Sequence, residues 1–224
     1  MRNGTSERGE ELRRVPLFAD LDSADLAGLT GGASRRVYQQ RELIAGAHEA
    51  GHAWVITHGT ARVYGLSPRG REITIERLAA GDIYGLVLLE GTAPGACLLE
   101  ATAESTTVYR IPIRSIEALC LAQPAFALSV IRLLSRRLTD ARARLEDFAL
   151  HDAKTHLAHT LARLASQDGQ VAETHRELAG MIGTRPEEVT KLLRQLREEG
   201  LVSYEADHRA LRVNDLDRLR TYGA

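Results

Sequence analysis

Residues Pro124 to Leu150 read PAFALSVIRLLSRRLTDARARLEDFAL, and this run decides how the rest of the chain is arranged. It opens on a proline, whose fixed φ and missing N–H suit a first helical turn, and no glycine or second proline interrupts it. Ile131, Leu134, Leu138, Ala141, Leu145 and Phe148 recur at alternating spacings of three and four. That period draws one narrow apolar seam along a helix, the pattern of a two-stranded coiled coil rather than of a broad core-facing stripe. Val130 and Leu133 fall off the seam, so a second face is expected to rest on the chain's own preceding domain. Most other positions are charged, among them Arg132, Arg136, Arg137, Asp140, Arg142, Arg144, Glu146 and Asp147. In a monomer this helix would have too little apolar surface to bury along its length, so the seam predicts a homodimer. At about 1.5 Å per residue the helix would span roughly 40 Å.

Upstream of the helix the period changes to two. Val37, Ile44, Trp54-Val55-Ile56, Ala61 to Tyr64, Ile73 to Ile75 and Val108 to Ile111 read as short strands. Turn residues separate them: His58-Gly59-Thr60, Ser67 to Gly70, Ala80-Gly81-Asp82 and Thr92 to Gly95. Many short strands with tight turns predict an antiparallel β-barrel, closed or built from two sheets. Before it, residues 1–11 are expected to be disordered, and Asp22 or Ser23 can cap a helix carrying Leu26 and Leu29.

Downstream, Asp152 is placed to cap a helix over Ala153 to Ala165, which makes His151-Asp152 the expected hinge, and Ser166 to Gln170 reads as a loop. Thr174 to Leu196 then reads as helix, tight turn, helix. Thr174 and Glu177 form a capping box, Gly183 stands where the chain must reverse, and Pro186 suits the start of the second helix. That second helix would bury Val189, Leu192, Leu193 and Leu196. Val202 to Tyr204 and Leu211 to Val213 make a small hairpin around Ala206 to Arg209. Together these predict a winged helix-turn-helix and an overall α+β chain of three parts: a β-barrel over 12–123, a dimerisation helix and hinge over 124–151, and a winged domain over 152–224.

The chemistry points to double-stranded DNA. A helix fits the major groove and sets its N-terminal side chains on base edges. Arg185 and Lys191 can donate to guanine, Glu187 can accept from cytosine, and Thr190 lies on the same face. Thr174, His175 and Arg176, at the start of the first helix, are candidates for phosphate contacts, with Arg209 at the hairpin tip. A helix-turn-helix also occurs as a plain packing motif, but a wing behind it and a dimer helix before it favour the DNA reading. Composition argues the other way, since a formal net charge of −1 supplies no global basic field. Any nucleic-acid binding must therefore rest on a local patch.

Cys97 and Cys120 are far apart and form no metal pattern, and they point to a reducing compartment. No stretch reaches transmembrane length, so a soluble, cytoplasmic protein with no membrane partner is expected.

Taken together the chain resembles the CRP/FNR family of bacterial transcription regulators over nearly its whole length. Gly81-Asp82-Ile83-Tyr84-Gly85, the helix end Arg144-Leu145-Glu146-Asp147-Phe148, and Gly183 to Lys191 carry the resemblance. It implies a cyclic-nucleotide-binding-like jelly roll that senses a small molecule, parallel pairing of the long helices, a palindromic operator, and RNA polymerase as a partner. By position Glu187, Thr190 and Lys191 fall on the family's base-reading places, while Pro186 stands where an arginine is common.

The sensor departs from that pattern. Cyclic-AMP-binding members follow Gly-Asp-x-x-Gly with a glutamate for the ribose and later carry Arg-Ser or Arg-Thr for the phosphate. Here the matching residues are Leu86 and Gly95-Ala96, and a buried phosphate would lack compensation. Ala141 and Arg142 stand where those members place small hydroxyl residues near the adenine. The resemblance thus marks Tyr84, Gly85, Leu86, Gly95, Ala96 and Arg142 as the effector pocket but argues against cyclic AMP. Two cysteines cannot ligate a four-thiolate iron-sulfur cluster within one subunit. The run Gly81 to Tyr84 with Cys97 to Thr102 is similar to carbon-monoxide-sensing haem regulators, yet Gly85 and Val87 replace the haem ligands. His48 and His52 read as turn histidines rather than metal ligands, and Cys97 reads as a barrel cysteine with a redox role as the alternative. A metal-dependent enzyme on a small barrel would need a His and carboxylate triad, and no such spacing occurs. An effector-independent regulator of the same fold remains the other alternative.

Overall fold

A computed structural model describes residues 3–46, 49, 51–67, 70, 72–86, 89, 97–204 and 211–223, with backbone alone at 3–7 and 147–150. The chain divides into two compact units, residues 1–71 with 75–136 and residues 72–74 with 137–224.

In the first unit, helices α1 (Asn3–Arg13) and α2 (Ser23–Gly31) flank one 3-10 turn at Pro16–Phe18. Over residues 3–11 a helix thus stands where disorder is expected, and residues 1 and 2 lie outside the described residues. Leu12 is fully buried, and Glu11 accepts a 2.6 Å hydrogen bond from Tyr109, so long-range contacts hold a segment whose local composition is polar. Asp22 rather than Ser23 caps α2, accepting from the backbone N–H groups of Ala24 and Asp25 at 2.8 Å each. Strands β1 (Ser34–Gln39), β2 (Leu43–Ala45), β3 (His52–His58), β4 (Thr60–Leu66), β5 (Glu72–Ala79), β6 (Ile83–Tyr84), β7 (Cys97–Ala101) and β8 (Ser105–Pro112) follow.

They form two four-stranded sheets, ordered β1-β8-β3-β6 and β2-β7-β4-β5. The expected barrel is therefore an open double sheet, since no ladder joins the two among the described residues. Side chains alternate between two cores, as the two-residue period of a strand requires. Trp54, Ile56, Val108 and Tyr84 join Tyr38, Val63 and Leu99 in one cluster. Ala53, Val55, Tyr109 and Ile111 join Leu12, Phe18, Leu29 and Ile116 in the other. Strands β3, β6 and β8 are thus buried on both faces while β1 buries only Tyr38, which is why β3 reads as a continuous apolar run rather than an alternating one.

Helix α3 (Ile113–Ala122) leads into α4 (Pro124–Leu150), whose limits match the expected run. Phe126 and Val130 are buried in the α1–α3 core with Leu133 packed against it, as the second apolar face predicts. The seam, by contrast, faces outward: Ile131 is 57% exposed, Leu138 54% and Leu145 67%. Ala141 is exposed as well, and the Phe148 side chain lies outside the described residues.

The second unit contains α5 (Ala153–Leu164), β9 (Gln170–Val171), α6 (His175–Ile182), α7 (Pro186–Glu198), β10 (Val202–Tyr204), β11 (Leu211–Val213) and α8 (Leu216–Arg220). Asp152 caps α5 by accepting from the Thr155 N–H at 2.8 Å. The loop expected at Ser166 to Gln170 ends instead in a third strand, because Gln170 and Val171 pair with Arg212 and Leu211. The hairpin expected from β10 and β11 forms, pairing Val202 with Val213 and Tyr204 with Leu211. Leu157, Leu161, Val171, Leu178, Val189 and Leu196 belong to the one core beneath these elements.

Candidate nucleic-acid interface

The turn between α6 and α7 is built by capping. Thr174 Oγ1 accepts from the Glu177 N–H, and the Glu177 carboxylate accepts from the Thr174 N–H at 2.7 Å. Gly183 ends α6 in the left-handed region at φ 68°, where a side chain would be strained, and Pro186 opens α7. Helix α7 is two-faced. Val189, Leu192, Leu193 and Leu196 are buried, while Arg185, Glu187, Thr190, Lys191 and Arg194 are exposed.

The four expected base-reading residues therefore occupy one solvent-facing surface. Arg185 is the residue before the first turn of α7 and Glu187 lies within that turn. Lys191 Nζ pairs with Glu188 at 3.3 Å one turn back, an exposed contact of small energy that DNA can displace. Thr190 differs from its neighbours, since its hydroxyl donates to the Pro186 carbonyl at 3.0 Å.

The expected phosphate contacts are less uniform. Arg176 is well exposed at the start of α6. Thr174 turns its hydroxyl toward the Glu177 carboxylate at 2.8 Å, so part of its hydrogen-bonding capacity serves its own helix. His175 is engaged at both ring nitrogens, 2.9 Å from Thr190 Oγ1 and 2.9 Å from the Tyr204 phenol. Arg209 lies outside the described residues. Tyr204 carries the feature that sequence reasoning missed. Its position in the first strand of the wing was legible, but nothing in the chain's linear pattern pairs it with a histidine so many residues upstream.

Of the residues marked as an effector pocket, Tyr84 and Leu86 point into different cores. Tyr84 is buried in the inter-sheet cluster beside Trp54, with ring centroids 5.8 Å apart, whereas Leu86 is buried in the helix-covered cluster. Gly85, at φ 93°, crosses the face of Trp54 so closely that a Cβ would fall 2.8 Å from the His52 carbonyl oxygen. Arg142 is exposed on α4, and Gly95 and Ala96 lie outside the described residues.

His52 proves to be the first residue of β3 rather than part of a loop, with Arg110 3.1 Å from its Nδ1, and His48 lies outside the described residues. Cys97 and Cys120 are half-buried free thiols, and burial pushes the Cys120 thiol up. Among the described residues there is no group of three or more potential metal ligands, and no helix is long and apolar enough to cross a membrane.

Comparison with known proteins matches this layout in both units. Residues 35–123 match the model of the cyclic nucleotide-binding domain, and residues 155–222 match that of the Crp-like helix-turn-helix domain. The chain is 29% identical over 196 residues to the cyclic AMP receptor protein of Thermus thermophilus, covering 85% of this chain and 89% of that protein. It is 26% identical over 208 residues to the transcriptional regulator flp of Lacticaseibacillus casei, covering 91% and 94%. Among solved structures, a CRP-family transcriptional regulator from Thermus thermophilus is similar with a TM-score of 0.67 at 26% identity, over 83% of this chain and 95% of that one. A CooA variant from Carboxydothermus hydrogenoformans gives 0.74 at 23% identity over 88% and 90%, a likeness of fold alone.

Proposed function

This chain belongs to the CRP/FNR family of transcriptional regulators, and from that premise we propose that it binds a palindromic operator as a homodimer through α7. It is a DNA-binding regulator rather than an enzyme, so the small-barrel enzyme reading falls away.

The observation that carries the proposal is the division of α7, with its apolar face buried and Arg185, Glu187, Thr190 and Lys191 presented together. In this reading those four contact base edges, while Thr174, Arg176 and Arg209 lie toward phosphates. Two α4 helices pair in parallel through Ile131, Leu134, Leu138, Ala141 and Leu145, with Phe148 continuing the register. Half-sites then lie about one helical turn apart, roughly 34 Å. The protein works in the cytoplasm, with RNA polymerase as its partner.

Control by an effector other than cyclic AMP is the favoured reading. The Thermus relative is named for cyclic AMP, but Leu86 and Gly95-Ala96 give this chain neither the acid nor the cation that ligand requires. An effector-independent regulator is the second reading, favoured by the burial of Trp54 and Tyr84 between the sheets.

The test is a titration of labelled duplexes, one enriched from a random pool by the protein and one scrambled. Specific binding at least about a thousandfold tighter than scrambled, with steep loss as salt rises, is the expected result. Equal, weak binding of both duplexes would overturn the proposal.

A further inference from the structure

His175 is held from both sides by groups that belong to other elements. Its Nδ1 lies 2.9 Å from Thr190 Oγ1 in α7 and its Nε2 lies 2.9 Å from the Tyr204 phenol in β10. A threonine hydroxyl has one hydrogen, and that of Thr190 goes to the Pro186 carbonyl at 3.0 Å. With its hydrogen on that carbonyl, Thr190 accepts from His175, which puts the proton of the neutral imidazole on Nδ1. Nε2 is then an acceptor, and the Tyr204 O–H supplies its proton. Burial pushes the Tyr204 phenol up, so it stays a neutral donor. The bonds run in one direction, from Tyr204 through His175 and Thr190 to the Pro186 carbonyl.

This direction decides what Thr190 can offer a base. A free threonine hydroxyl can donate to or accept from either edge of a base pair, so it discriminates little. Here the hydrogen and one lone pair are already used, although the residue remains exposed. What is left is one lone pair, which can accept but no longer donate, and the methyl group. Apolar contact with the thymine methyl is the recognition such a group can make.

We propose that His175 is a positioning residue that ties the wing to α7 and turns Thr190 into a reader of a thymine methyl, rather than a phosphate contact itself. The proposal rests on the DNA-binding reading above and adds one definite base to the half-site.

The experiment uses the full chain and a duplex enriched from a random pool. Each thymine of the half-site is replaced in turn by uracil, which removes only the methyl group. One position is expected to lose affinity by about fourfold, the worth of one buried methyl. Thr190→Ser should bind thymine and uracil duplexes equally, whereas Thr190→Val should keep the preference. His175→Ala and Tyr204→Phe, which free the Thr190 hydroxyl or its support, should each weaken the preference. In the wild-type protein, NMR of the imidazole nitrogens should show the proton of His175 on Nδ1, a readout that needs no variant to fold. If no duplex is enriched over random DNA, the DNA-binding reading fails. If one is enriched but no uracil substitution weakens binding, or Thr190→Ser keeps the preference, this inference alone is overturned. Proton residence on Nε2, or an unchanged preference in both His175→Ala and Tyr204→Phe, would likewise overturn the positioning role.

Discussion

Lys154, in the first turn of α5, forms an ion pair with Glu199 at the C-terminal end of α7. The Tyr222 phenol donates to the other oxygen of the same carboxylate at 2.7 Å, and the Lys154 ammonium lies 5.4 Å from the Tyr222 ring centre. One carboxylate thus ties together the first and third helices of the winged unit and its C-terminal segment. The Lys154 hydrogen bond, then that of Tyr222, holds the Glu199 carboxyl below its ordinary value, and Glu199 in turn raises Lys154.

The pH dependence of stability follows from these two directions. Glu199 contributes stability above its unfolded value, roughly pH 4, and that contribution is lost as pH falls through the lowered folded value. Lys154 contributes below its unfolded value, roughly pH 10, and its contribution is lost as pH rises through the raised one. Urea midpoints at fixed protein concentration should therefore be flat near neutrality. Glu199→Gln should lower the midpoint at pH 7, and the gap to wild type should close as the solution is acidified. A gap that stays constant down to about pH 3 would contradict the linkage.

Charge placed on the α4 seam should separate the copies. Leu138 is 54% exposed, so Leu138→Glu should cost the single chain little and set two like charges against each other in the pair. Sedimentation at micromolar concentration should change from dimer to monomer, a weakening of about a hundredfold or more. Operator binding should fall with it, while far-ultraviolet circular dichroism stays unchanged. A variant that remains dimeric would place the interface elsewhere.

Lys191→Ala should strip sequence preference and leave dimerisation intact. Loss of a guanine contact is worth about 1–3 kcal/mol, roughly fivefold to 150-fold in affinity for the enriched duplex. Affinity for scrambled duplex should change far less. Glu188→Gln, which releases Lys191 from its 3.3 Å ion pair, should instead bind the enriched duplex slightly more tightly. Wild-type affinity in Lys191→Ala would remove this residue from the reading surface.

Trp54 is the chain's single tryptophan and is 1% exposed, so its emission should be blue-shifted and poorly quenched by iodide. Trp54→Ala should cost about 3–5 kcal/mol, seen as a lower urea midpoint. Beside it, burial first of all pushes the Tyr84 phenol up to about 12. The fold favours the neutral phenol, so this contribution is present below the unfolded value near about 10 and is lost as pH rises through the folded one. Comparison of wild type with Tyr84→Phe should show no phenolate absorbance from this residue until the strongly alkaline range.

Much of this architecture was legible because its signals are local. Capping by Asp152, the box between Thr174 and Glu177, the left-handed Gly183 and the proline that opens α7 depend only on neighbours a few residues away. The apolar period of α7 likewise reports which face is covered before the covering element is known. What stayed hidden was non-local. The helix over Asn3–Arg13 is stabilised by Leu12 in a distant core and by Glu11 on Tyr109. Strand β9 exists only because β11 lies beside it.

The sequence by itself determined the order of parts: two-residue periods, then one long narrow seam, then a capped helix pair with a hairpin behind it. Each is a pattern of side chains on a single element, and backbone geometry turns such patterns directly into structure. Only the tertiary structure decided that Tyr84 and Leu86 point into different cores, and that His175 bridges Thr190 and Tyr204. Those relationships join elements that are remote along the chain, so their distances exist only once the elements are packed.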